Sequence, residues 1–125
     1  MKIINDMREN VIKKKSLAFA VDIVQLCKFL TDNKKEYIMS KQLIKSGTAV
    51  GALVRESEHA ESPLDFIHKL SIALKEANES VYWLELLKEV GYISIKTFEK
   101  YKTDCQELVK ILVSIIKSSK AKLTK

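Results

Sequence analysis

The sequence has few of the residues that make turns and cross-links. Its 125 residues include three Gly, one Pro and two Cys. So little turn chemistry argues against a sandwich or barrel built from many short strands. The two cysteines, Cys27 and Cys105, lack CxxC spacing and form neither a zinc site nor a disulfide framework. Both are predicted to be small buried side chains in a reducing compartment.

Long apolar runs are also missing. No stretch approaches the roughly 20 apolar residues that a membrane-spanning helix needs. The first ten residues, MKIINDMREN, lack the apolar run of a signal peptide. We therefore expect a cytoplasmic protein without membrane contact.

The residues that are present predict an all-α protein. A hydrophobic share of 46% supports a core for one domain over residues 1–125. Helical spacing of apolar residues predicts four helices, at about 11–31, 36–58, 63–90 and 95–118, with the basic termini 1–10 and 119–125 frayed. Four helices with short connections predict an antiparallel, up-down-up-down four-helix bundle.

The first and last predicted helices have more apolar surface than a single buried stripe requires. Helix 1 has apolar residues on one face (Leu17, Val21, Val24, Phe29) and on another (Phe19, Ile23, Leu26). Helix 4 has a seam at heptad spacing (Phe98, Tyr101, Cys105, Leu108, Leu112, Ile115) and further apolar residues outside it (Val109, Ile111, Val113, Ile116). This surplus predicts a homo-oligomer.

Helices 2 and 3 contain local signals for packing and for helix ends. Gly47 and Gly51 are four residues apart on one helical face, which predicts a close contact with another helix. Ser62 is predicted as the N-cap of helix 3, with Asp65 three residues later in a variant of the capping box. Gly91 is predicted to end helix 3 in the left-handed conformation.

Charge is concentrated at the two ends of the chain. The formal net charge is +6, and Arg8 and Arg55 are the two arginines among 22 basic residues. An up-down bundle would bring Lys13, Lys14 and Lys15 close to the C-terminal lysines, with Glu56, Glu58 and Glu61 at the same end. This basic end is a candidate nucleic-acid-binding site, formed by Lys13, Lys14, Lys15, Lys117, Lys120 and Lys122. The alternative is that lysine-rich tails serve solubility.

Several motifs resemble those of a known bacterial family. They are Ser46-Gly47-Thr48-Ala49-Val50-Gly51-Ala52, the run from Asp65 to Ala77, Tyr82-Trp83-Leu84-Glu85-Leu86-Leu87, and Gly91-Tyr92-Ile93-Ser94. Over roughly residues 10–118 the chain resembles the four-helix bundle proteins encoded by intervening sequences of 23S rRNA genes. The resemblance implies a left-handed bundle that assembles as a ring, commonly a homopentamer, with no catalytic residues and no cofactor. It also relates the chain to accessory variability proteins of diversity-generating retroelements, which bind nucleic acid and a reverse transcriptase.

A metal site is a weaker alternative. Glu56 and His59 form a Glu-x-x-His, and Asp65 and His68 form an Asp-x-x-His at the same spacing, as in di-metal carboxylate bundles. Both motifs flank a helix connection instead of lying in the middle of the bundle. We therefore predict no metal site, with Asp65 acting as a helix cap.

Three hypotheses about function follow, in descending order. The first is a non-enzymatic, oligomeric adaptor that binds RNA or DNA through its lysine-rich ends with low sequence specificity, because specific base contacts favour Arg. The second is a protein-interaction scaffold without nucleic-acid binding. The third is a metal-dependent enzyme.

Overall fold

A computed structural model describes residues 7–124, which form four α-helices and no strand. The helices are α1 (Met7–Lys34), α2 (Ile38–Ser57), α3 (Pro63–Glu89) and α4 (Ile95–Leu123). The prediction of an all-α protein with four helices is therefore confirmed. Within this part of the chain, no helix is both long enough and apolar enough to cross a membrane.

The helix ends differ from the predicted ones mainly at the two termini of the bundle. α1 begins at Met7, and α4 continues to Leu123, so residues 119–123 are helical where fraying was expected. Arg8 anchors the added first turn of α1 to α4, since its guanidinium donates to the Ser114 carbonyl at 3.1 Å and to the Ser118 hydroxyl at 2.8 Å. These hydrogen bonds join the first turn of α1 to the last turns of α4. The remainder of the predicted frayed N-terminus, residues 1–6, lies outside the described residues.

Contacts between helices show the direction in which each runs. Along the α1–α4 contact, Lys15 pairs with Glu107 at 3.3 Å and Asp22 with Lys100 at 2.9 Å. Later residues of α1 therefore meet earlier residues of α4, and the two helices run in opposite directions. α1 packs beside α2 and α4, α3 packs beside α2 and α4, and the backbones of α1 and α3 do not approach each other closely within residues 7–124. Helices α1 and α3 are thus diagonal to each other.

The glycines of α2 lie against α1. A Cβ atom on Gly47 would be 2.9 Å from Cγ2 of Ile23, and one on Gly51 would be 3.3 Å from the Ser16 carbonyl oxygen. The close approach is to backbone at Gly51 and to a β-branched side chain at Gly47. Small polar residues continue this contact toward α3, where the Ser80 hydroxyl donates to the Ser46 hydroxyl at 3.0 Å.

Helix α3 begins and ends with the predicted local structures. The Ser62 hydroxyl accepts a hydrogen bond from the Asp65 N–H at 3.0 Å. The Asp65 carboxylate accepts from the N–H of Glu61, one residue before the cap, and this bond lowers the pKa of Asp65. At the other end Gly91 has φ +87°, and the Tyr92 N–H bonds the Leu87 carbonyl at 2.9 Å. This pattern closes the helix as a Schellman motif.

The connection between α1 and α2 also has a left-handed residue, but this residue is a lysine. Lys35 has φ +55°, and the next N–H, of Glu36, bonds the Leu30 carbonyl at 3.0 Å. Glu36 is buried, and its carboxylate accepts from the N–H groups of Ile38, Met39 and Ser40 at 2.7–3.0 Å. Burial by itself raises the pKa of Glu36, but these donors together hold it below its ordinary value. Helix α2 therefore begins at Ile38, with a buried carboxylate satisfying its first N–H groups.

The two thiols belong to the core. Cys27 and Cys105 are both free and buried, as predicted. Burial raises the pKa of each thiol to about 12. Their Sγ atoms lie against the carbonyls of Ser40 and Ala77 at 3.4 and 3.1 Å, so both thiols have an acceptor inside the bundle.

The expected apolar surplus is found on α1 and is smaller on α4. Leu17, Val21, Val24 and Phe29 are 51, 47, 42 and 45% exposed. On α4, by contrast, Ile116 is buried, and Val109 and Ile111 pack against the core as partly buried side chains. The prediction of surplus apolar surface on α4 is thus wrong for Ile116, because this side chain joins the buried face of the helix near its last turns.

Candidate nucleic-acid interface

The three consecutive lysines of α1 point in different directions. Successive residues of an α-helix are about 100° apart around its axis, so three in a row span about 200°. Lys13 lies toward α2 and pairs with Glu58 at 3.2 Å, while Lys15 lies toward α4 and pairs with Glu107 at 3.3 Å. Lys14 faces solvent and has no ion pair within residues 7–124. The cluster is thus one solvent-facing cation between two cations that neutralise carboxylates.

An open cleft lies beside Lys14, between α1 and α2. It has a volume of about 430 Å³ and is lined by Asn10, Lys13, Lys14, Leu17 and Arg55. Arg55 is exposed and, like Lys14, makes no ion pair within the described part of the chain. The cleft therefore presents two cations from two helices that no carboxylate of residues 7–124 neutralises.

Sequence reasoning did not select Arg55 as a site residue. The signal was present, because an antiparallel pair of helices places the end of the second beside the start of the first. Glu58, directly after α2, pairs with Lys13 near the start of α1. Arg55 is three residues before Glu58 and therefore lies beside the same part of α1. The other arginine, Arg8, is committed to the α1–α4 contact, which leaves Arg55 as the arginine that faces the cleft.

The C-terminal lysines lie at the same end of the bundle but further along its axis. Lys15 meets Glu107, so Lys14 is at the height of residue 108 of α4. With a rise of about 1.5 Å per residue, Lys117 and Lys120 are about 14 and 18 Å beyond that height. Lys117, Lys120 and Lys122 are all exposed or partly exposed. The six predicted lysines thus share one end of the bundle without forming a single cluster.

The acidic residues expected at this end are partly engaged with the lysines. Glu58 pairs with Lys13, whereas Glu56 and Glu61 are exposed and make no ion pair within residues 7–124. Asp65, from the Asp-x-x-His, pairs with Lys69 at 3.1 Å. His59 follows the last turn of α2 and is exposed, as is His68 on α3. Within residues 7–124, no group of three or more His, Cys, Asp or Glu side chains is arranged to hold a metal ion. The Glu-x-x-His and Asp-x-x-His spacings therefore do not converge on a common point here.

The fold and this end of the molecule define an all-α, four-helix protein with an exposed basic cleft. A model of the 23S rRNA-intervening sequence protein family matches residues 8–114. The chain belongs to this family, as the resemblance predicted.

One solved structure extends that comparison. The chain is 55% identical to a protein of unknown function from the S23 ribosomal protein family of Bacteroides thetaiotaomicron VPI-5482, with a TM-score of 0.87. The match covers 88% of this chain and 98% of the other. No curated protein matches the chain. Neither the family's description nor that of the structural neighbour names a reaction.

Proposed function

We propose that the protein is a non-enzymatic adaptor that binds RNA or DNA with low sequence specificity. In this proposal the chain forms a left-handed, up-down-up-down bundle and assembles as a ring, with a homopentamer as the form that the family resemblance implies. The observation that carries the proposal is the cleft between α1 and α2, where Lys14 and Arg55 stand without carboxylate partners among residues 7–124. The two free buried thiols fit a reducing compartment, and we place the protein in the cytoplasm.

The spacing of the cations suits a phosphate backbone. A duplex rises about 3.4 Å per base pair, so the distance of about 14 Å along the axis from Lys14 to Lys117 corresponds to about four base pairs. Phosphates several nucleotides apart could thus contact the cleft and the end of α4 at once. Each further copy in an assembly would repeat these contacts, and binding would weaken steeply as salt is raised.

Lysines 13 and 15 contribute less in this scheme than the sequence suggested. Each already pairs with a glutamate, at side-chain exposures of 40% for Lys13 and 44% for Lys15. Exposed pairs of this kind are weak, so phosphate can replace the carboxylate, but with a smaller net gain. We therefore assign the larger share of phosphate binding to Lys14 and Arg55.

The test compares two variants that remove equal charge. Lys14→Gln with Arg55→Gln empties the cleft of unpaired cations, whereas Lys75→Gln with Lys96→Gln removes two cations from α3 and α4. Binding to a structured RNA and to duplex DNA is measured across a salt series. The cleft variant is expected to bind at least tenfold more weakly, and its slope of log affinity against log salt should fall by about 1.8, at about 0.9 per phosphate contact.

The control variant should keep most of the affinity. Equal losses in both variants would show that net charge alone drives binding and would overturn the assignment to the cleft. Absence of binding by the unaltered protein at low salt would overturn the proposed function itself.

A protein-interaction scaffold is the second candidate. The observation in its favour is the row of Leu17, Val21 and Val24, three exposed apolar side chains on one face of α1. A protein that fails to bind nucleic acid in the salt series and still assembles would support this alternative.

A further inference from the structure

The outward face of α1 has the pattern of a second packing seam. Leu17, Val21 and Val24 are spaced by four and three residues, which is heptad spacing, and each is 42–51% exposed. The buried residues Ile12, Phe19, Ile23 and Leu30 occupy the opposite side of the same helix. Lys28, four residues after Val24, is exposed and has no ion pair within residues 7–124. The face is thus apolar along its middle and basic at the end nearest the α1–α2 connection.

The outward face of α3 has complementary chemistry. Tyr82 is 55% exposed, and its ring packs edge-on against Trp83 at 4.9 Å, so it projects as a supported aromatic side chain. Glu85 and Glu89 follow at three and seven residues, on the same side of the helix. Glu85 is exposed and makes no ion pair within the described residues. This face is thus aromatic at one position and acidic toward the end of α3.

Both faces lie at the same height along the bundle. A contact between Ile23 and Gly47 joins α1 to α2, and the bond between Ser46 and Ser80 joins α2 to α3. Ile23 and Ser80 are therefore level. Val54 and Ser57, later in α2, lie beside Leu70 and Phe66, earlier in α3, so α3 runs antiparallel to α2. Helix α1 also runs antiparallel to α2, and α1 and α3 therefore run in the same direction.

Positions on the two faces can then be matched residue by residue. Val24 lies one residue beyond Ile23, and Tyr82 two residues beyond Ser80, a difference in height of about 1.5 Å. Lys28 lies five residues beyond Ile23, and Glu85 lies five residues beyond Ser80. These two charged residues are therefore at equal height. Val24 and Lys28 of α1 are thus level with Tyr82 and Glu85 of α3, respectively. An apolar side chain is matched with an aromatic one and a cation with a carboxylate.

We infer that the outward face of α1 in one copy of the chain docks against the outward face of α3 in the next. Tyr82 would cover Val21 and Val24, and Lys28 would pair with Glu85 of the neighbouring copy. Because α1 and α3 are diagonal helices, each copy keeps one face open after docking, and such head-to-tail contacts close into a ring or extend as a filament. The inference rests on the assembly in the proposed function and supplies its two contact surfaces.

A mixing experiment tests whether the two faces differ. Val24→Glu introduces a carboxylate into the α1 face, and Tyr82→Glu introduces one into the α3 face; both positions are exposed, so neither change alters the core. Each variant alone is expected to elute and scatter light as a monomer of about 14.3 kDa. An equimolar mixture should form a heterodimer of twice that mass, since each variant retains the face that the other lacks.

The proposed ion pair between Lys28 and Glu85 of the neighbouring copy gives an independent test. Lys28→Glu alone should weaken assembly while leaving the apolar residues of the α1 face intact, and Lys28→Glu combined with Glu85→Lys should restore it. Lys96→Glu, an exposed position on α4, is the control for charge and should leave assembly unchanged. Circular dichroism of every variant should match that of the parent.

The outcomes separate this inference from the proposed function. Two monomeric variants that stay monomeric when mixed would overturn the α1-to-α3 contact, as would an unaltered protein that is monomeric. Assembly lost in Val24→Glu and kept in Tyr82→Glu would overturn it too, and would show that α1 pairs with α1. Nucleic-acid binding is measured on the same samples, and Lys14 and Arg55 are intact in all of them. Nucleic-acid binding by an unaltered protein that is monomeric, or by two variants that stay monomeric when mixed, would therefore leave the binding function standing while the docking surfaces fail.

Discussion

The two helical hairpins of this protein, α1–α2 and α3–α4, solve the same structural problem with different residues. In the α3–α4 hairpin, a glycine takes the left-handed turn, a serine hydroxyl caps the following helix, and larger residues such as Ala77 and Cys105 fill the contact. In the α1–α2 hairpin, Lys35 takes the left-handed turn and the buried Glu36 caps the following helix.

The difference extends to the packing of each hairpin. Glycines lie at the α1–α2 contact, and apolar side chains remain exposed on the outer face of α1. Each of these features is unfavourable taken alone, because a glycine weakens a helix and a lysine resists a positive φ. They persist because neighbouring groups compensate for them. A hairpin of this kind is therefore more sensitive to changes in its partners than one built from locally favourable residues.

The largest expected effect is on the glycine contact. Gly47→Ala would place a methyl group 2.9 Å from Cγ2 of Ile23. Overpacking costs about 1–3 kcal/mol, and about 1 kcal/mol of helix propensity is regained, so we expect a net loss of up to about 2 kcal/mol in the free energy of unfolding. Urea denaturation measures this difference. The reverse substitution in the other hairpin, Ala77→Gly at a fully buried site, should also destabilise, by about 1–2 kcal/mol.

The same substitution in a protein that already carries Ile23→Ala tests whether contact with Ile23 causes the destabilisation. With Ile23→Ala already present, the clashing atoms are gone, and Gly47→Ala should then stabilise by about 1 kcal/mol through helix propensity. If Gly47→Ala changes the free energy of unfolding in the same direction in both backgrounds, contact with Ile23 is not the reason for the glycine.

The next effect concerns the residues that cap the starts of α2 and α4, Glu36 and Ser94. The two caps should differ in how their contribution to stability depends on pH. Glu36→Gln and Ser94→Ala should each cost about 1 kcal/mol near neutral pH. The pKa of Glu36 is lowered in the folded state, so its carboxylate contributes stability above the unfolded pKa of about 4.3 and loses that contribution as pH falls through the folded value. The gap between the parent and Glu36→Gln should therefore narrow in acid.

The serine cap is the control for that titration. Its hydroxyl does not ionise, so the gap between the parent and Ser94→Ala should stay constant between neutral pH and acid. Thermal or urea unfolding at a series of pH values records both gaps. A gap for Glu36→Gln that is equally constant would show that the carboxylate charge contributes nothing to the start of α2.

The smallest effect is at the two left-handed residues. Lys35→Gly removes the conformational cost of φ +55° and should stabilise by up to about 1 kcal/mol, whereas Gly91→Ala at φ +87° should destabilise by about 1 kcal/mol. For a chain of this size each change corresponds to a shift of about 4 °C in Tm. Lys34→Gly, inside the last turn of α1, is the control and should lower Tm. A lower Tm for Lys35→Gly would mean that the lysine side chain, which donates to the Asp32 carbonyl, outweighs the backbone cost.

The sequence allowed the four helices and the two ends of α3 to be predicted, because these follow from local rules. Heptad spacing, Ser62 before Pro63, and Gly91 after an apolar stripe each indicate their structure without knowledge of the rest of the chain. The first hairpin required tertiary information. Nothing local shows that Glu36 is buried, since a glutamate before a helix is ordinarily a solvated residue.

The candidate site was predicted less completely than the fold. The lysines were identified as a run of like charge, yet helical geometry separates their directions, and the partners of Lys13 and Lys15 come from α4 and from the residue that follows α2. Arg55 is 41 residues from Lys14 in sequence, and the two are brought together by the antiparallel packing of α1 and α2. Charge runs alone therefore locate the basic end of the molecule but not the cations that remain available there.

The buried thiols have a practical consequence for following this molecule in solution. Cys27 and Cys105 are 3% and 0% exposed, and burial raises the pKa of each thiol to about 12, so few of them are thiolates at pH 7, and the thiolate is the form that maleimides attack. A single cysteine introduced on the outer face of α1 or α3 would thus be the one reactive thiol among residues 7–124. The native chain can accept a site-specific fluorophore without removal of either natural cysteine.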